Sequence, residues 1–295
     1  MADKTNDRPF PKRAGQYLTN VALMSVIGVS RLLPYRTRLA FIGWITSRVI
    51  APIAGFDKRI RDNLAHTLPD LAPDEVERLV KAVPENMGRA LIETYSGPPF
   101  VKIAQEAEVT GPGLEVLAKA REEGRPVIIV TAHFGNYDAA CASLIAHGFQ
   151  IGGFYRPLDN PYVNKHYTNA ITAIGEPLFT QTRKGMANMV RHLKSGGVVA
   201  IVADRHAVGG EVMPFFGKPA ATSLVTAELA LRFNAPLLPV YGMRKADGVH
   251  FEIVTEDPIA HSDPETMTRE ITERLESLVR DHMDQWFWIH RRWKV

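Results

Sequence analysis

The sequence predicts an α/β fold: a largely parallel or mixed central sheet flanked by helices, with an N-terminal helical region that associates with membranes. Three observations carry this reading. From about residue 107 short apolar runs alternate with helical stretches, the pattern of strands joined by crossover helices. Before that point only helical periodicity is present. Two apolar stretches in this first part lie beside basic residues, the composition of a segment that rests on a lipid surface.

Residues 1–13 are polar and read as a flexible N-terminus; residues 14–106 read as the helical, membrane-associating region. The uncharged stretch 14–30 is short of the roughly 20 residues a span needs, and contains Gln16, Thr19 and Asn20. A second stretch, "LAFIGWITSRVIAPIAGF", is interrupted by Arg48 and Pro52. Monotopic attachment, a first spanning helix and ordinary core helices all fit these stretches; the neighbouring Lys12, Arg13, Arg36 and Arg38 favour attachment. No small-residue cleavage site follows, so a cleavable signal peptide is not expected. "APDEVERLVKAV" carries helix-start chemistry, with Pro73 in the first turn and Asp74 and Glu75 at the positive dipole end.

Residues 107–295 read as the α/β core. "PVIIVT", "IGGFYR", "VVAIVA" and "PLLPVYG" are strand-like, and "MANMVRHLKSGG" is a helix stopped by Gly196 and Gly197. "GVHFEIVTE" alternates and reads as an edge-like strand. A last helix starts near Asp263-Pro264, places Ile271, Leu275 and Leu278 on one face, and leads into the basic-aromatic tail "WFWIHRRWKV".

A hydrophobic fraction of 45% supports a sizeable core, and the net charge of +3 is too small to indicate nucleic acid as a partner. The single cysteine, Cys141, excludes an intramolecular disulfide and a cysteine-based zinc cluster; it reads as a small buried residue. No His or carboxylate spacing suggests a metal, and the absence of G-x-S-x-G disfavours a serine hydrolase.

In an open α/β sheet, ligands gather beyond the carboxyl ends of the strands. Three polar groups fall there: His133 to Asp138 after "VIIVT", Arg156 after "IGGFY", and Asp204-Arg205-His206 after "VVAIVA". Asn136 is suited to cap the helix that follows Gly135. Asp138 in its first turn can either orient the His133 imidazole as a general base or simply stabilise the helix start.

"AHFGNYD", then "FYRPLDNP", then "MPFFGKPAAT" resemble the blocks of the bacterial lipid A late acyltransferases, a branch of the lysophospholipid acyltransferase superfamily; the likeness spans roughly residues 14 to 295. The resemblance implies a glycerolphosphate acyltransferase-like fold. It implies His133 as the base that activates an acceptor hydroxyl toward an acyl thioester, with Asp138 orienting it. It also implies acyl carrier protein as donor (acyl-CoA being the other possibility) and a lipid A precursor as lipid acceptor. The location it implies is the cytoplasmic face of the inner membrane, with no cofactor required. A relative acylating another lipid, or a silent lipid-binding relative, is the alternative.

In that setting Arg156 reads as a phosphate clamp, for which a guanidinium fork is suited. Asn136, Asp204, Arg205 and Lys218 join it as substrate-binding candidates, Arg205 standing where the family often has Gln. Phe134, Phe215 and Phe216 are candidates for an acyl pocket, Phe215 and Phe216 from a segment expected to turn at Gly217 and open a helix at Thr222. The tryptophans of the tail fit either headgroup anchoring or packing onto the domain, with anchoring preferred.

Overall fold

The computed structural model describes residues 10–294. Expectations for residues 1–9 therefore lie outside the described chain, while residues 10–13 already form the first turn of α1 (Phe10–Ser30) rather than a loose arm. Helix α2 (Tyr35–Ile45) passes through a π-helical turn (Thr46–Ile50) into α3 (Ala51–Ala54), which Gly55 ends at φ 70°. Helices α4 (Phe56–Thr67), α5 (Pro73–Thr94) and α6 (Pro98–Gln105) complete the helical part. Pro73 and Pro98 sit at helix starts, where a missing N–H costs nothing.

This region is joined to the rest of the chain by a core of its own. Leu39, Ile42, Ile92 and Val249 are buried together. Gly88 on α5 lets the π turn approach so closely that a Cβ would lie 2.3 Å from the Thr46 hydroxyl. Arg38 is buried, donating to Ser96 Oγ and to the carbonyls of Arg31 and Leu33. That corrects its expected place among the lipid-facing cations.

The outer surfaces of α1 to α3 expose Tyr17, Leu18, Val29, Leu32, Trp44 and Ile53. Among the described residues no single helix is long and apolar enough to cross a membrane. One bent pair, Tyr35–Ala54 with Phe56–Thr67, passes that test jointly across an 82° bend.

Nine strands follow among the described residues: β1 (Glu108–Thr110), β2 (Val127–Thr131), β3 (Ile151–Tyr155), β4 (Leu178–Thr180), β5 (Val198–Val202), β6 (Glu211–Phe215), β7 (Lys218–Thr222), β8 (Leu237–Arg244) and β9 (Phe251–Thr255). Seven form one sheet in the order β1-β9-β8-β2-β5-β3-β4, parallel except for the β8–β9 pair. Helices α7 (Gly113–Glu122), α8 (Tyr137–Ala146), α9 (Pro161–Thr172), α10 (Arg183–Lys194), α11 (Val225–Phe233) and α12 (Pro264–Asp281) cover its faces.

All five residues of β2 are buried, as a central strand covered on both faces requires. Phe100, Leu117, Leu144 and Phe251 pack in one cluster, and Met189, Leu193, Leu229 and Ile271 in another. β9 alternates as expected but is not an edge strand, because β1 pairs beyond it.

The segment expected to open a helix at Thr222 is instead the hairpin β6–β7, whose two-residue turn holds Phe216 at φ 53° and Gly217 at φ 66°. Phe215 and Phe216 from this hairpin enter a third core cluster with Ile60, Leu64, Trp286 and Trp288. The tail is therefore packed. Trp288 is 0% exposed, and Arg292, 2% exposed, donates to the Ala221 carbonyl and the Thr222 hydroxyl. Headgroup anchoring by these tryptophans is overturned, since their rings are spent on one another and on the hairpin.

Candidate active site

Strand β2 delivers the chain into a turn that only glycine can make. Gly135 sits at φ 53°, and a Cβ there would lie 2.1 Å from the Gly242 carbonyl oxygen on β8. The neighbouring Asn136 N–H donates to that same carbonyl at 2.8 Å. Asn136 then caps α8, its Oδ1 accepting from the N–H groups of Asp138 and Ala139, while its Nδ2 donates to Glu93 at 2.7 Å. With both ends of the amide committed, Asn136 positions the turn. It also lines the cavity against α5 beside His133, where it was expected as a substrate-binding residue.

This turn aims His133 across the sheet end at β5. Its Nδ1 lies 2.7 Å from Asp204 Oδ1, and its backbone N–H donates to Asp204 Oδ2 at 2.9 Å. Trp286 Nε1 donates to that second oxygen at 3.0 Å. Burial pushes the Asp204 carboxyl up, but the charge attraction of His133, with the His133 and Trp286 hydrogen bonds, outweighs it and holds the group below the usual carboxylate range. An ionised Asp204 accepts Nδ1–H, which leaves Nε2 as the basic nitrogen. The rings of Phe287 and Tyr137 lie 5.6 and 5.8 Å from the imidazole and fix its plane.

Asp138, expected to orient His133, is not hydrogen-bonded to its ring. Asp138 accepts a hydrogen bond from the Thr94 hydroxyl at 2.9 Å and faces the space beside the imidazole. Burial raises its carboxyl to about 6; Thr94 opposes that rise, buried Glu93 adds to it, and His133 lowers it. Glu93 is held by a two-pronged ion pair with Arg244, one arm at 2.7 Å. The site therefore has two unlike carboxylates, Asp204 held low and bonded to the ring, Asp138 raised to about 6 and facing the cavities.

Two cavities meet at His133. One, of about 270 Å³, runs between α8 and α9 and is lined by apolar groups including Ile145, Ile171, Ile174 and Leu178. Arg156 and Arg205 stand at it as well, Arg156 with its side chain 64% exposed and 3.6 Å from Asp159. The other, of about 190 Å³, lies against α5, with Met87, Leu91, Thr94 and Phe287 in its wall. His133 and Asp138 border both.

The remaining expected residues fall elsewhere. Phe134, Phe215 and Phe216 are buried in the core and line neither cavity, so their assignment to an acyl pocket is corrected. Lys218 starts β7 and lines neither cavity. Cys141 borders the larger cavity, but burial, with a smaller push from Asp138, raises its thiol to about 12, far too high for a nucleophile. His290, which sequence reading left in the tail, accepts from the His206 N–H at 2.9 Å; burial and then Arg205 lower it to about 4, so it is neutral. Among the described residues, no three His, Cys, Asp or Glu side chains are grouped to hold a metal ion.

Thr94, Trp286 and Phe287 were not anticipated as site residues. Their only signal in sequence was position: Thr94 ends a helix in the region expected to touch lipid, and the two aromatics belong to a tail whose composition pointed outward.

Comparison with known proteins places this geometry in context. A family model described as bacterial lipid A biosynthesis acyltransferase matches residues 2–295. The lipid A biosynthesis lauroyltransferase of Escherichia coli K12 is 28% identical over 249 residues, covering 81% of this chain and 79% of that protein. The lipid A biosynthesis palmitoleoyltransferase of the same organism is 27% identical, covering 89% and 87%. A phosphatidylinositol mannoside acyltransferase of Mycobacterium tuberculosis H37Rv is 24% identical, covering 81% and 78%.

Proposed function

The chain belongs to the bacterial lipid A biosynthesis acyltransferase family and is an acyltransferase; from that premise we propose how it works and on what. It moves a fatty acyl chain from an acyl thioester, carried by acyl carrier protein, to a hydroxyl of a lipid A precursor. The observation that carries the mechanism is the Asp204–His133 pair, which leaves Nε2 free at the meeting point of two cavities.

The acceptor hydroxyl gives its proton to Nε2 as its oxygen attacks the thioester carbonyl carbon. The tetrahedral adduct collapses, the C–S bond breaks, and the departing thiolate takes the proton back from the imidazolium. Asp204 holds the ring tautomer and stabilises the transient cation. Asp138, beside the ring with its carboxyl raised to about 6, adds its charge to the stabilisation of the imidazolium as the proton arrives. The apolar cavity between α8 and α9 takes the acyl chain, and Arg156 and Arg205 at its border meet phosphate on donor or acceptor. An ester forms from an activated thioester, so base catalysis suffices without a cofactor.

The helical region from residue 14 to 106 attaches the enzyme to the cytoplasmic face of the inner membrane. Support comes from the exposed apolar side chains on α1 to α3. The opening of the second cavity beside Met87 and Leu91 would admit a lipid acceptor from that side.

The test is acyl transfer with lipid A precursor and acyl carrier protein thioester, followed by mass spectrometry of the product. His133→Ala is expected to lose roughly 10²–10⁴ in rate while retaining the wild-type melting profile. A folded variant with near wild-type transfer would remove the base assignment. Transfer to a different lipid, with none to the lipid A precursor, would keep the mechanism and change the acceptor.

A further inference from the structure

Helix α4 also meets the end of the C-terminal tail, among residues that line neither cavity at His133. There α4 and the end of the tail form an open groove of about 600 Å³ bordered by Lys58, Arg59, Arg291 and Lys294, with Asp62 as its one acid. Lys58 is paired with Asp62 at 2.7 Å. Among the described residues, Arg59, Arg291 and Lys294 are in no ion pair. A chain whose whole excess is +3 thus gathers a comparable excess in one groove.

The groove is built rather than incidental. Asn63 Nδ2 bonds the carbonyls of Trp288 and His290 at 2.6 and 2.9 Å, fastening the tail along α4. Trp293, part of the wall, bonds the Phe215 carbonyl at 2.9 Å and stacks on Trp288. The basic side chains are therefore carried on two rigid, cross-tied elements.

Its location supplies the ligand. Gly55 borders the groove and is also the point where the apolar arm through α2 and α3 turns by 82° into α4. Ile53, 84% exposed, stands two residues away. An arm resting in the apolar layer of a membrane would bring its basic successor to headgroup depth. We propose that the groove between α4 and the C-terminal tail binds the phosphate of an anionic phospholipid headgroup and so fixes the orientation of the protein on the bilayer. This goes beyond acyl transfer and rests only on the membrane-surface part of that reading.

The full chain is sedimented with phosphatidylcholine vesicles and with vesicles that also contain phosphatidylglycerol. Wild type should prefer the anionic vesicles. Each basic group near such a surface contributes roughly a fivefold factor in partitioning, so Arg59→Gln with Arg291→Gln should weaken anionic binding roughly thirtyfold and leave neutral binding unchanged. Lys294→Gln, a single exposed change, should lose about fivefold in the same selective way if the double variant folds poorly. A wild type without anionic preference, or variants that keep it, overturns the proposal. So does a rise confined to the KM for acyl carrier protein donor, which would make the groove a protein-docking surface. Leu32→Asp with Ile53→Asp separates the underlying reading: loss of binding to both vesicle types supports the apolar arm, and unchanged binding to both refutes it without touching the groove result.

Discussion

In the proposed mechanism Asp204 decides which nitrogen of His133 acts as the base. Asn at this position keeps the size but can donate to Nδ1, holding the wrong tautomer, so Asp204→Asn is expected to lower kcat by roughly 10²–10⁴. Combined with His133→Ala it should add little, because groups that act as a unit are not additive. Rates of the two singles and the double, at saturating donor, check this. Asp138 behaves oppositely. Burial lifts its carboxyl from 3.8 to about 6, so the fold favours the protonated form, and the stability it contributes at low pH is lost as pH rises through about 6. Asp138→Asn should therefore melt higher than wild type near pH 8 and equally near pH 4, while acyl transfer is impaired. Equal melting points at both would refute the shifted carboxyl. His133 was readable in sequence because a histidine directly after a buried strand must stand at the sheet end. Its true partner was not. Asp204 is 71 residues away, and only the pairing of β2 with β5 makes them neighbours.

The elements show the same division. β2, β3, β5 and β8 were legible because each is a short apolar run between breakers, and α12 because Asp263, Ile271 and Leu275 supply a cap and a stripe. β6–β7 was hidden: it has a proline in each strand, and its turn asks a phenylalanine to adopt a left-handed conformation. β1 and β4, at three residues each, are too short for a period-two signal. The turn before α8 yields an element-scale prediction. Asn136→Ala removes a helix cap and a donor to buried Glu93, together costing about 2–4 kcal/mol in denaturant unfolding. On the other side of the site, Ile171→Trp should fill the cavity between α8 and α9 and shift transfer toward shorter acyl chains. Competition between thioesters of different length, read by mass spectrometry, measures it; an unaltered product distribution would move the acyl chain to the other cavity.

At the scale of the molecule, composition could not separate two roles for clustered aromatics beside cations. The tail and the N-terminal helices both carry that composition, yet Trp288 is core and Trp44 is exposed. Trp288→Ala should cost about 3–5 kcal/mol and, in whatever fraction folds, leave binding to neutral vesicles as it was. Calorimetry with co-sedimentation of the soluble fraction would show whether fold and lipid affinity separate in this way.

Helix α5 belongs by sequence to the N-terminal helical half and by contact to the surroundings of His133. Its last two residues, Glu93 and Thr94, reach across to brace Asn136 and Asp138. The two halves are therefore not interchangeable parts. A hybrid that grafts the N-terminal helices of one relative onto the sheet of another inherits a seam through the proposed catalytic centre, and its activity is expected to depend on whether that acid and that hydroxyl arrive in register.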